Sequence, residues 1–348
     1  MQKLSFDDDP SPAETLRALA AFAGSSPADK YMSGELFDRL HGRLRDLLGK
    51  PAALFVPSGK MAQMMALKTH AERAGCSRIA LHPRSHMEEY EARAYHELWG
   101  LGAVQLGGYD RLPTAADLDA IREPLGAIVV ELPLRRLGCL LPEWEDLRAL
   151  AGLARERGIA VHLDGARIWE SQPFYGRPLA EIAALFDSVY VAFDKGLGGL
   201  SGGALLGEAS VLDQATIWQR RAGGRALRSF PTLLSALKGL EERLPLMPDF
   251  HGKAAELANR FAGLPGVSVS PNPPHANAFY VSVNGDRSKA SGARDAAAAE
   301  TGLWLFDELI DSVDQSVTRF EVTIRGAGLA VSSDLAEAAL RRFLAGLR

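Results

Sequence analysis

An acid and a lysine, each set at the end of an apolar run and just before glycine, are the residues here whose types and spacing suggest chemistry. Asp164 follows the run Gly158 to Leu163 and precedes Gly165-Ala166-Arg167. Lys195 follows the run Ser188 to Phe193, by way of Asp194, and leads into Gly196-Leu197-Gly198-Gly199. Such runs read as buried strands, and the carboxyl ends of neighbouring strands are where open α/β sheets bind ligands. An amine and a carboxylate held there suit pyridoxal 5'-phosphate. The lysine forms a Schiff base with its aldehyde, and the acid keeps the pyridine nitrogen protonated so that the ring takes up electrons.

Each residue alone has a plainer reading. Asp164 would be an Asx turn or a helix cap, Arg167 a surface residue and Lys195 a solvated amine. Their succession, strand, acid, strand, lysine, shifts the balance. So does the glycine content of Gly196 to Gly203, which lets backbone approach a ligand closely. It is not a dinucleotide fingerprint, because Ser201 stands where the third glycine would fall. Pro57-Ser58-Gly59-Lys60 opens an apparent helix from Met61 to Ala74, and a helix N-terminus beside a hydroxyl is a natural phosphate cradle.

His86, in His82-Pro83-Arg84-Ser85-His86, is either a loop histidine or an imidazole stacked on the cofactor ring, where it can move protons. Pro83 makes a shared helical face for the two histidines improbable and no third ligand is evident, so no metal is expected. His162 reads as a satisfied core residue. The basic run Arg220 to Arg228 holds a phosphate or carboxylate, or is a solvated face or subunit contact. Asp7-Asp8-Asp9 reads as a solvated N-terminus.

The elements that must position these residues follow from the pattern. A helical stretch from about residue 36 to 75 breaks at Gly49-Lys50-Pro51 and at the apolar run Ala52 to Val56. Strands are expected at Arg78 to Leu81, Ala103 to Leu106, Ala127 to Leu132, Ile159 to Leu163, Val189 to Phe193 and Ala204 to Leu206. Helical stretches separate several of them, notably Glu145 to Arg157. The alternation predicts an α/β fold with a mostly parallel sheet covered on both faces. After a joint at Leu244 to Pro248, a helix is expected at Gly252 to Phe261, with shorter strands at Val267 to Val269, Phe279 to Val283 and Phe320 to Ile324 and a last helix from Asp334. The expected organisation is an N-terminal segment 1–30, a large domain 31–244 and a small α+β domain 245–348.

Composition narrows the class. The 348 residues are 47% hydrophobic and 24% charged with a formal net charge of -4, which is ordinary for a globular protein. There is no basic excess of the kind a nucleic-acid surface needs, and no apolar stretch approaches the roughly 20 residues that span a bilayer. Two cysteines, Cys76 and Cys139, do not suggest a disulfide framework. The reading is a cytoplasmic protein with a small-molecule substrate.

From about Tyr31 to Gly224 the chain resembles the threonine aldolase and β-eliminating lyase family of fold-type-I pyridoxal phosphate enzymes. The resemblance rests on Ala53 to Met61, on His86 with Glu91, on His162-Leu163-Asp164-Gly165-Ala166-Arg167, and on Asp187-Ser188-Val189 leading to Lys195-Gly196-Leu197-Gly198. It implies that Lys195 is the Schiff-base lysine, Asp164 the pyridine partner and His86 the residue stacked on the ring. It places Arg167 near the ring oxygen or substrate carboxylate, and Ser58, Gly59 and Lys60 at the phosphate. Tyr31 matches a tyrosine that reaches the substrate site of an adjoining subunit, so a homodimer or homotetramer is implied.

Departures from the family pattern fall both among these positions and beside them. Lys60 stands for a threonine and Asp194 for a serine. Glu131-Leu132-Pro133-Leu134 lacks the family's histidine. Arg319 is one place out from the carboxylate-binding arginine, and Arg228 stands beside Leu227, where the phosphate arginine is expected. The leading reading is cleavage of a β-hydroxy-α-amino acid to glycine and an aldehyde, with Lys195, Asp164 and His86 carrying the reaction. β-Elimination, dehydration, racemisation and transamination stay open, as does a non-catalytic descendant of the fold.

Overall fold

Buried parallel strands must be apolar along their whole length, and the continuous apolar runs of this sequence fold accordingly. The computed structural model describes residues 1–7, 10–310 and 316–347, so Asp8 and Asp9 lie outside the described residues. In chain order the strands are β1 (Gln2–Lys3), β2 (Ala52–Val56), β3 (Arg78–Leu81), β4 (Gly102–Gln105), β5 (Ala127–Glu131), β6 (Ala160–Gly165) and β7 (Ser188–Ala192). They continue with β8 (Gly203–Gly207), β9 (Val267–Ser270), β10 (Ala278–Asn284), β11 (Leu303–Trp304), β12 (Leu309–Ile310) and β13 (Val317–Thr323).

The chain divides into two compact units. The larger comprises Ala13–Leu137 and Leu141–Pro245; the smaller comprises Met1–Pro12, Gly138–Leu140 and Leu246–Arg348. In the larger unit seven strands form one sheet in the order β2-β8-β7-β6-β5-β3-β4. Strands β4, β3, β5, β6 and β7 run parallel, and β8 and β2 pair antiparallel at the far edge. The fold is therefore α/β with a mixed, mostly parallel sheet.

The helix Gly59–Ala74 is buried on nearly every side. Met65 and Ala66 pack on Val56, Tyr190 and Leu205, while Met64 and Leu67 pack on Ile79, Leu81 and Val129. Burying each Met or Leu here is worth about 1.5–3 kcal/mol, which fixes this helix rigidly against the sheet. Ser58 caps it by accepting from the Met61 N–H at 3.4 Å, so it begins two residues before the expected Met61.

In the smaller unit an antiparallel sheet runs β12-β13-β10-β9, and β1 pairs with β11. At the expected joint, Leu244 to Pro248, the chain makes a 3-10 turn, Leu244–Leu246, that runs into the helix Met247–Ala262. Pro248 sits in the first turn, where its missing N–H costs no hydrogen bond, so the helix starts five residues earlier than expected. Asp7 is not solvated as the sequence suggested: its carboxylate accepts from the Gly326 N–H at 3.1 Å and lies 3.7 Å from Arg325.

Candidate active site

The carboxyl ends of β5, β6 and β7 converge on one cavity of about 280 Å³, near the lower end of the roughly 300–1,000 Å³ usual for ligand pockets. Ser58, Gly59, Lys60, His86, Asp164, Arg167 and Lys195 all line it, so seven expected residues meet although they span 138 positions of sequence, from 58 to 195. Every lining residue belongs to the larger unit.

Asp164 is the last acidic residue of β6 and is only 3% exposed. Its donors are neutral: the Gln63 side-chain amide and the Ala166 N–H at 3.2 Å. Burial pushes its carboxyl above the usual range, with the charge of nearby His86 acting in the opposite sense. A buried carboxylate with neutral donors is suited to a cationic ligand, and a protonated pyridine nitrogen is such a partner.

Lys195 follows β7 on a loop that glycine makes possible. Gly199 donates to Phe193 O at 2.7 Å, and a β-carbon there would lie 2.8 Å from that oxygen. Gly196 N–H donates to the buried Glu170 carboxylate at 2.8 Å, which ties down the residue after the lysine. The Lys195 amine donates to Asp194 Oδ2 at 2.9 Å, so the residue that replaces the family serine holds the amine.

His86 begins the short helix His86–Glu89, and its backbone N–H donates to Glu131 Oε2 at 2.9 Å. Its ring nitrogen Nδ1 pairs with Glu91 Oε1 at 3.3 Å, and the ring stacks on Tyr90 with centroids 5.2 Å apart. The Glu91 bond raises the His86 pKa above its ordinary value, against the opposing effect of burial. Glu91 Oε2 is buried without a hydrogen-bond partner among the described residues. His82 is a loop histidine, with Nε2 on Arg111 O at 3.0 Å.

The cavity also holds residues not singled out as site residues from the sequence, Glu131, Gln63, Tyr190 and Asp194 among them. Glu131 is pushed up to about 7 by burial, and its carboxylate accepts from the backbone of His86 and Arg135. Gln63 bonds Asp164, Tyr190 pairs with Asp164 across the strands, and Asp194 holds the lysine. The i, i+2 spacing of His162 and Asp164 on β6 would have pointed to a polar partner above them.

The structure does not bring Tyr31 or Arg228 to this cavity. Tyr31 lines a separate hollow with Arg220 and Arg225, and is half exposed. Arg228 Nη1 donates to Asp29 O at 2.5 Å, which turns its guanidinium toward the N-terminal segment.

Comparison with known proteins bears on this arrangement. A model of the beta-eliminating lyase family matches residues 7–284. The low-specificity L-threonine aldolase 1 of Arabidopsis thaliana is 28% identical over 273 residues, 74% of each chain. The low specificity L-threonine aldolase of Escherichia coli K12 is 28% identical over 246 residues, 67% of this chain and 71% of that one. A solved structure from Listeria monocytogenes, described as a candidate L-allo-threonine aldolase, is 34% identical with a TM-score of 0.95, covering 99% of this chain and 96% of that one.

Proposed function

The chain belongs to the beta-eliminating lyase family and is a lyase of the threonine-aldolase type, and on that premise we propose that it uses pyridoxal 5'-phosphate to cleave β-hydroxy-α-amino acids to glycine and an aldehyde. The observation that carries this reading is the buried Asp164, with neutral donors, in the same cavity as the amine of Lys195. When bound, the cofactor supplies an electron sink that accepts the pair released as the Cα–Cβ bond breaks.

The protein's own residues divide the remaining work. Lys195 provides the amine for covalent attachment, and Asp194 holds that amine until it is needed. Asp164 pairs with the ring nitrogen. Ser58, Gly59 and Lys60, at the start of the helix Gly59–Ala74, hold the phosphate with the backbone N–H groups and dipole of the first turn. Arg167 faces the substrate carboxylate or ring oxygen. His86 takes the proton from the substrate hydroxyl, and Glu91 orients its ring for that transfer. Tyr31 serves the site of a neighbouring subunit in a homodimer or homotetramer.

Borohydride reduction of cofactor-loaded protein, followed by peptide mapping, tests the attachment; the expected result is a modified peptide containing Lys195. Incubation with threonine and allo-threonine should release glycine and acetaldehyde together. Absence of a modified Lys195 peptide in cofactor-saturated protein refutes the assignment, and ammonia with a keto acid in place of glycine redirects it to elimination.

A further inference from the structure

Below the cavity lies a file of polar groups for which the mechanism above has no use. Gln63 is 2% exposed, His70 is 5% exposed, and His162 and Ser188 are wholly buried. His70 Nε2 stands 2.8 Å from Ser188 Oγ, which stands 2.8 Å from His162 Nδ1. His162 Nε2 is 2.9 Å from Gln63 Oε1, and the Gln63 amide nitrogen meets Asp164. The file weaves between two elements. Gln63 and His70 are two turns apart on the helix Gly59–Ala74, while His162 and Ser188 are partners across β6 and β7. His162 also shares a face of β6 with Asp164, two residues on.

The donor and acceptor inventory gives this file a direction. An ionised carboxylate only accepts, so the Gln63 NH2 faces Asp164 and its carbonyl oxygen faces His162. That oxygen needs a donor, so the His162 proton is on Nε2. A neutral ring then leaves Nδ1 as an acceptor, which takes the Ser188 hydroxyl proton. With its proton committed, Ser188 accepts from His70, whose proton is also on Nε2. Burial supports neutral rings, lowering His162 to about 3 and His70 to about 4.

We propose that Gln63, His162, Ser188 and His70 are positioning residues that form a one-way hydrogen-bond chain, every donor pointing toward Asp164, which keeps that carboxylate ionised and aimed at the ring nitrogen. Each bond in such a chain polarises the next, so the Gln63 amide donates more strongly than it would alone. The far end is anchored where His70 lines a second cavity with Arg73, Arg155, Asp187 and Glu208. The proposal rests on the reading of Asp164 as the pyridine partner.

Two measurements test it. In cofactor-free native protein labelled with 15N histidine, His162 and His70 should both be neutral Nε2–H tautomers at pH 7. An Nδ1–H tautomer or a charged ring at either position overturns the direction. Ser188→Ala breaks the chain at its middle while leaving Gln63 and Asp164 in place; it should weaken pyridoxal 5'-phosphate binding about tenfold, in line with the loss of one buried hydrogen bond. Ser188→Thr, which keeps the hydroxyl, should recover most of that loss. Undiminished affinity in a folded Ser188→Ala protein overturns the proposal alone. Native protein that takes up no cofactor sinks the functional reading and this proposal with it. The histidine spectra decide the direction even where the substitution prevents folding.

Discussion

A β-carbon at Gly59 would stand 1.9 Å from the hydroxyl of Tyr190 and 2.4 Å from its Cζ. The register of β6 and β7 sets Tyr190 opposite Asp164, on the face covered by the helix Gly59–Ala74. Burial and the neighbouring carboxylates push the tyrosine well above its ordinary range, so it remains a hydroxyl. The glycine that opens the helix Gly59–Ala74 is thus required by a tyrosine two strands away from it.

Gly59→Ala should displace either the helix start or the Tyr190 ring. Overpacking of this kind costs about 1–3 kcal/mol, so cofactor affinity should fall about tenfold to a hundredfold. The double variant Gly59→Ala/Tyr190→Ser should regain most of it, because the serine vacates the space. Equilibrium dialysis decides between them; full affinity in the single variant would mean that the ring is free to move aside.

If His86 takes the substrate proton as proposed, a direction in pH follows. Only the neutral imidazole accepts a proton, and Glu91 raises the pH below which the ring is charged. Activity carried by His86 is therefore lost as pH falls through that raised value. Glu91→Gln removes the largest cause of the rise, so the acid limb of kcat/KM should move to lower pH. A limb that stays in place or moves upward would take His86 out of the proton transfer.

Asp164 and Lys195 were legible because each follows an apolar run of strand type and is followed at once by glycine, Asp164 within β6 and Lys195 three residues past β7. Gln63 escaped notice for the opposite reason. Its helix is buried on nearly all sides, so no polar face marks which residue looks down on Asp164. Tyr190 reads as one more apolar residue of β7, and only the register with β6 gives it a neighbour. The two-residue strands β11 and β12 carry no periodicity at all, since pairing over two residues is set by the chain around them. Tyr31 and Arg228 lie outside the cavity built by their own chain, and nothing in the local sequence around them reveals that.

The buried histidines predict acid sensitivity. Burial lowers His41 and His70 to about 4 and His162 to about 3, and it also lowers His82. With folded values below the unfolded 6.5, their stability contribution is present above pH 6.5 and is lost as pH falls toward 4. Glu131 and Asp164, raised by burial, and His86, raised by Glu91, take up protons in the folded state and offset part of this. The four lowered histidines outnumber these three groups, so cofactor-free protein should lose stability from pH 6.5 to pH 5. His70→Gln should remove about 2 kcal/mol of the change between pH 7 and pH 5, given about 1.4 kcal/mol per pKa unit. Urea midpoints at the two pH values measure it, and an unchanged difference would mean that His70 is not buried as a neutral ring.

The corner that carries Tyr31 predicts complementation between inactive subunits. Tyr31 and Met32 both have positive φ, 48° and 61°, a conformation that costs a non-glycine residue of order 1–3 kcal/mol and persists only where surroundings enforce it. Here Tyr31 N–H donates to Leu227 O at 3.1 Å, Arg225 Nε donates to Tyr31 O at 3.4 Å, and both Asp29 carboxylate oxygens accept from Ser229 N–H at 2.9 Å. A fixed backbone that presents a half-exposed aromatic ring is the geometry of a residue offered to another molecule. If that molecule is a second copy of this chain, Lys195→Ala and Tyr31→Ala are both inactive alone, and each supplies what the other lacks. After denaturation and joint refolding, half of the dimers carry both defects in opposite subunits, and one of their two sites pairs an intact Lys195 with an intact Tyr31. Recovery of about a quarter of native activity is expected from that two-fold arithmetic. Recovery near zero would place Tyr31 in the service of its own chain.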